Sequence, residues 1–389
     1  MTADAVAAVG DLGLYVHFPW CRRLCPYCDF PVAVAAGPPP HEAYLDRITA
    51  ELDARAPAFA GRRLRSVYIG GGTPSLWAPA CLAAIVDGAR ARWPSRAEPL
   101  EVTLEANPVD CTPERLAAWR AAGVTRLSIG VQSLAADELV VLGRDHRFGD
   151  GLAAIAAATA AGFTSLSADH ILGAPVPGRA PDVGRTLPAL AGSGVDHLSV
   201  YELTIEERTA FGARVRAGRL APHDEDTLTD LYLAADACLT AAGFEHYEVS
   251  SYARPGRRAV HNSLYWAGVE FLGVGVGAAS LHLGPDGAAT RQTNDRDVAA
   301  YLAGRAPAPT IERATPAEAA RDRLWLGLRT RAGVAAEALA PWPQFVAWLG
   351  AGGLAELADG RWRPTLRGLL MADRIATQIT CLPAPEPSG

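Results

Sequence analysis

Three cysteines fall within eight residues in "CRRLCPYC". They are Cys21, Cys25 and Cys28, at spacings of four and then three. The chain has 389 residues and seven cysteines, and the other four, Cys81, Cys111, Cys238 and Cys381, stand alone. Thiolates this close can wrap one compact inorganic centre. A structural zinc closes its tetrahedron with four ligands, and the nearest fourth group, His17, lies in an expected strand. A 4Fe–4S cluster on three cysteines instead leaves one iron open to another ligand. Inert buried thiols are a third reading, although Arg22, Arg23 and Pro26 mark the segment as a loop. The residues alone leave these readings open. Two further stretches could do chemistry. The "GGGTP" turn (70–74) would let backbone amides approach a ligand closely. "HNSLYW" (261–266) puts His261 beside a tyrosine and a tryptophan, a setting that by itself suits a packed core histidine.

Positioning these groups takes an alternating strand–helix scaffold. Strands are expected at 14–18, 66–70, 100–105, 126–131, 165–169 and 197–203. Helices are expected at 41–56, 77–92, 113–122, 134–142, 149–161 and 182–192. In "TPERLAAWRAAG", Thr112 can cap a helix, Pro113 suits its first position and Gly123 its end. Six strand–helix units in a row predict a parallel sheet with right-handed crossovers, too short for a closed eight-fold barrel. The fold class is therefore α/β, a partial (β/α)6 barrel followed by a mostly α, winged-helix-like C-terminal domain. The expected divisions are a flexible N-terminus (1–11), the barrel (12–205), a barrel extension (206–305), the C-terminal domain (306–380) and a disordered tail (381–389). Ligands of such sheets gather at the C-terminal strand ends. The cysteines, the glycine turn and Glu105 of "LEANP" all fall on that edge.

The net charge of −6, with acidic and basic residues interspersed, gives no nucleic-acid footprint. The clustered, odd-numbered cysteines argue for a reducing cytoplasm rather than a disulfide framework. No basic-then-apolar signal precedes the first strand, and no apolar run reads as a membrane span.

The motif order carries a resemblance. "YVHFPWC", "CPYCDF", "GGGTPSLW", "EANP", "LSIGVQSL", "LGRDH", "YELTIEERTAF", "YEVSSYARPG", "HNSLYW" and "FLGVGVGAAS" follow one another. Together they resemble the radical S-adenosylmethionine (SAM) family of oxygen-independent coproporphyrinogen III dehydrogenases and HemW-type haem chaperones. The resemblance covers roughly residues 12–380. It implies a 4Fe–4S cluster on Cys21, Cys25 and Cys28, with SAM on the open iron. It puts Tyr15, Tyr27, Gly71, Gly72, Thr73, Glu105, Gln132, Arg144 and Asp169 against SAM. It makes His261 a candidate axial ligand for haem, and it assigns no catalytic residue. Within the family, dehydrogenases carry a further cysteine where this chain has Phe30, and a long N-terminal arm where only a short segment precedes the first strand. "CDF" with "HNSLYW" therefore implies a haem-binding chaperone. Its partners would be haem, an acceptor protein (a membrane protein included) and an electron donor such as flavodoxin or ferredoxin. A coproporphyrinogen dehydrogenase and a radical SAM methyltransferase remain the alternatives. Two departures bear on the pocket. "DHILGAPVPGR" stands where members often read "DLIYGLPGQ", and Ala279 stands where they carry a histidine.

Overall fold

The computed structural model describes residues 10–94 and 99–383. Expectations for 1–9 and 384–389 lie outside these residues. Asp11, expected in the flexible N-terminus, already belongs to the first strand, and Cys381 ends the last helix.

Six strands run in chain order across the sheet: β1 (Asp11–Phe18), β2 (Arg63–Gly71), β3 (Glu101–Ala106), β4 (Arg126–Gln132), β5 (Leu166–Leu172) and β6 (His197–Glu202). Each pairs in parallel with the next. The crossovers carry α1 (His41–Arg55), α2 (Pro79–Arg92), α3 (Pro113–Ala121), α4 (Ala136–Val141), α5 (Asp150–Ala160) and α6 (Thr186–Ala191). Sequential order with right-handed crossovers puts all the helices on one face and leaves the other as an interior. The strand residues divide accordingly. Leu14, Val16, Val67, Ile69, Val102, Leu104, Leu127 and Ile129 are fully buried in the helix-side core. Burying each such side chain contributes roughly 1.5–3 kcal/mol. The alternate residues are polar or aromatic: Tyr15, Tyr68, Glu105, Ser128, Asp169 and Tyr201. Local signals end the helices where expected. Thr112 Oγ1 accepts from the Arg115 amide at 3.4 Å, and Gly123 takes φ 91° two residues past α3.

After β6 come α7 (Ala210–Arg216), α8 (Glu225–Ala241), β7 (Glu245–Glu248), β8 (Ser251–Ala253), α9 (Val260–Trp266), β9 (Phe271–Val274), β10 (Ala279–Leu283), β11 (Ala289–Thr293), α10 (Val298–Leu302) and β12 (Thr310–Ala314). These strands extend both edges into one twelve-stranded sheet, ordered β12-β11-β10-β9-β1-β2-β3-β4-β5-β6-β8-β7. Strand β12 thus joins the large sheet although it falls within the 306–380 segment read as C-terminal domain. That domain begins with α11 (Pro316–Gly327), started by a Thr315/Glu318 capping box. It has its own core around Leu324, Leu349 and Ile375 and a three-stranded sheet. Among the described residues, no helix is long and apolar enough to cross a membrane.

Candidate functional site

The three clustered cysteines follow β1 directly. Cys21 closes a two-residue strand paired with Ala33–Val34, and the Cys28 amide donates to the Cys25 carbonyl at 3.1 Å. All three are free and half-buried and line one cavity of about 390 Å³ at the C-terminal strand ends. Arg22 ties this loop to the chain after β3 through Asp110, which also accepts from Ser75 at 2.7 Å. Burial pushes the Cys21 thiol up to about 11 and raises Cys28 as well. Among the described residues no three His, Cys, Asp or Glu groups close on a single ion. A four-iron cube is a larger object and does not ask for that closure.

The glycine turn supplies the opposite wall. A Cβ on Gly72 would sit 2.7 Å from the Trp20 carbonyl oxygen and 3.0 Å from Cys21 Sγ, so only glycine fits beneath the thiol. Gly71 takes φ 113°, and a Cβ there would meet the His17 ring at 2.5 Å. Its amide donates to Glu105 Oε2 at 2.9 Å, while Tyr68 donates to Oε1 at 2.8 Å. Burial nevertheless pushes Glu105 up to about 7, with Asp169 adding repulsion. Burial raises Asp169 too, against a hydrogen bond from Ser128 at 3.1 Å. Arg126, buried in the barrel interior, offsets part of both costs.

The far wall is strained. Gln132 has φ 63°, one of two non-glycine residues with positive φ among those described. His170 Nδ1 is bonded to the Gln132 carbonyl at 2.7 Å, and since a carbonyl only accepts, Nδ1 carries the proton. The departure at His170 therefore supports the strained residue. Arg144 donates to the Gly130 carbonyl at 3.0 Å and reaches Cys25 Sγ at 3.7 Å. Three buried polar atoms on the lining residues have no partner among the described residues: Asn107 Oδ1, Gln132 Oε1 and Arg144 Nε. Unmet polar atoms in a cleft are what a polar ligand would satisfy. The charged lining, with guanidinium and carboxylate groups facing one space, suits a zwitterion such as SAM. Tyr27 and Leu203, both packed against the buried cluster of Leu142, Ile171 and Ala174, form the apolar side.

The structure gathers Tyr27, Gly71, Gly72, Thr73, Glu105, Gln132, Arg144 and Asp169 with the cysteines around this cavity. Tyr15 and His261 are not in its lining. Tyr15 lies beneath, stacked on Tyr68 with ring centroids 6.1 Å apart. His17 Nε2 must donate to the Pro31 carbonyl at 3.0 Å, so Nδ1 accepts from the Tyr15 hydroxyl at 3.0 Å. Tyr15 thus helps anchor the end of the cysteine loop from the interior face of β1. His261 sits on α9 at the N-terminal ends of the strands. Its Nδ1 bonds Ser66 Oγ and its Nε2 bonds Tyr265, both at 2.8 Å. The residue is 1% exposed, and neither ring nitrogen is free to meet an iron in this arrangement. Burial lowers its imidazole to about 3, so it stays neutral. Ala279 lies on β10 and lines neither this cavity nor the larger one described below. Sequence reading missed Tyr68, Asn107, Ser128 and Tyr201. All but Asn107 are alternate strand residues, and the strand period would have marked them once the interior face was known. Phe30 stands at the mouth, 64% exposed.

A sequence model of the radical SAM superfamily matches residues 15–200. The heme chaperone HemW of Escherichia coli (strain K12) is 38% identical over 294 residues, 76% of each chain. The heme chaperone HemW of Mycobacterium tuberculosis is 42% identical over 269 residues, 68% of each. In fold, the solved coproporphyrinogen III oxidase HemN of Escherichia coli, described as a radical SAM enzyme, superposes with a TM-score of 0.78. That match covers 98% of this chain and 93% of HemN at 24% identity. The barrel, the cysteine spacing and this similarity along the chain lead to one assignment: the protein belongs to the HemW family of radical SAM proteins.

Proposed function

We propose that this chain holds a 4Fe–4S cluster on Cys21, Cys25 and Cys28, binds SAM at the open iron, and carries haem to an acceptor protein. The observation that carries the first part is the cavity at the strand ends, where three thiols face a glycine cradle and three unpartnered polar atoms. The haem-carrying part is supported by relatives named heme chaperones at 38% and 42% identity.

The residues have separate tasks. Gly72 leaves room for the Cys21 thiol. Glu105, held near neutrality, accepts an ammonium group and ionises as it does so. Gln132 and Arg144 present a carbonyl oxygen and a guanidinium to the ribose and carboxylate of SAM, and the Arg fork suits a carboxylate. Tyr27 shields the cluster side from water. When bound, the cluster supplies one electron to the SAM sulfonium, and the protein's part is to orient the reactants. A small redox protein of the flavodoxin or ferredoxin class is the donor in this reading, and a membrane haem protein is among the acceptors.

The test is one sample reconstituted anaerobically with iron and sulfide, then titrated with haem and assayed for SAM cleavage and coproporphyrinogen decarboxylation. The expected result is a brown protein that binds SAM and haem and leaves coproporphyrinogen unchanged. Decarboxylation without haem binding would overturn the chaperone reading.

A further inference from the structure

A second cavity lies at the other end of the barrel, where α9 meets the C-terminal domain. Its volume is about 760 Å³, roughly twice that of the first. Pockets for drug-sized ligands span about 300–1,000 Å³. The "HNSLYW" helix separates two environments here. His261 and Leu264 face the barrel interior, and Ser263 and Trp266 line this cavity. Trp342 and Leu324 continue an apolar wall.

The charges on that wall are one-sided. Arg258, Arg323 and Arg361 line the cavity with a single carboxylate, Glu337. Arg258 pairs with Glu245 at 3.1 Å. Among the described residues, Arg361 donates only to the Ala332 and Gly333 carbonyls, both at 2.8 Å, and pairs with no carboxylate. Arg323 is exposed and has no hydrogen bond or ion pair among the described residues. Two guanidinium groups are thus left without a counter-charge beside apolar, aromatic walls. That pattern suits a flat apolar body bearing carboxylates, since aromatic faces stack on planar rings and guanidinium groups grip carboxylates. The described lining holds no histidine, cysteine or methionine. Its one phenol, Tyr247, is bonded to His197 Nε2 at 2.9 Å.

We propose that haem docks in this cavity, held by its macrocycle and two propionates rather than by a bond to its iron. The proposal rests on the haem-carrying reading above and adds the site and the mode of recognition. A cargo held without an iron bond can be handed over without breaking one. The SAM cavity, at the opposite strand ends, stays free for its own ligand.

The experiment titrates the full-length, reconstituted protein with haem and with metal-free protoporphyrin. It reads tryptophan quenching and the porphyrin absorption band. Both ligands should bind within about threefold of one another. Arg323→Glu, a change at an exposed residue, should weaken both by about tenfold, the scale of one charge-assisted pair. Ala320→Trp should fill the groove and abolish both. Circular dichroism checks each fold. Binding of haem but not of metal-free porphyrin would overturn the proposal, as would haem binding untouched by Arg323→Glu and Ala320→Trp. In either case the haem-carrying reading survives. Failure of the unaltered protein to bind either porphyrin would instead remove that reading itself.

Discussion

At the rim of the barrel, Gln132 keeps a left-handed backbone and a buried oxygen with no partner. At the floor, the His261 ring nitrogens are buried too, yet each is bonded. A strained backbone costs about 1–3 kcal/mol, and an unmet buried polar atom costs about as much. A fold keeps such costs only where something else compensates, and a ligand is the simplest compensation. Polarity and burial are common to both regions. Satisfaction separates them, and it marks the rim as a ligand site and His261 as part of the scaffold. The α9 amides extend the point: Val260 and His261 both donate to Glu101 at 2.9 Å, which closes the floor under β3.

Five measurements test this contrast. The largest effect is expected at the cysteines. Cys25→Ser should remove the cluster, read as iron content and brown absorbance, while leaving the fold intact. A variant that kept full iron would dismiss the three-thiol site. Next is Gly72→Ala, whose new Cβ would press on the Trp20 carbonyl and Cys21 Sγ. Iron incorporation should fall to a small fraction, and near-normal loading would mean that the cradle yields easily.

His261→Ala tests the floor. It leaves Ser66 and Tyr265 short of a partner and opens a void, so stability should drop by about 2–4 kcal/mol in denaturant unfolding. Porphyrin binding should persist, and its loss with stability unchanged would restore His261 as an iron ligand.

Glu105 gives a pH signature. Its carboxyl is raised from its ordinary 4.5 to about 7, so the folded chain favours the protonated form. The ligand-free fold should therefore lose stability as pH rises through that window and be level above it. SAM affinity should climb over the same window, because the bound ammonium favours the carboxylate. Glu105→Gln should flatten both curves, and identical curves for variant and parent would exclude Glu105. The smallest effect is expected at Gln132→Gly. Relieving the positive φ should raise stability by about 0.5–1 kcal/mol, after the entropy cost of glycine. SAM binding, measured by calorimetry, should weaken. A variant that gained neither stability nor a binding defect would mean that the strain serves no ligand.

Much of this was legible in the chain itself. "CRRLCPYC" marks a candidate centre by spacing, because three thiols within a short loop reach the same place whatever surrounds them, and the resemblance named the kind of centre. The six barrel strands and the caps of α3 follow from apolar period and turn chemistry, which act over a few residues. The pairing of the edge strands was not legible. β9 pairs with β1 across more than two hundred residues of sequence, and no local signal encodes that pairing. How Tyr15 and His261 are oriented was not legible for a related reason. Both stand next to residues that matter, but orientation is decided by the partners that closure brings: His17 and Pro31 for Tyr15, Ser66 and Tyr265 for His261.

Residue type and spacing thus determined which atoms could hold a cluster and which scaffold would carry them. Tertiary structure decided which of those atoms remain unsatisfied. A hydrogen bond depends on a partner that the chain brings near only by folding, so the difference between a waiting site and a finished core appears only when the barrel closes.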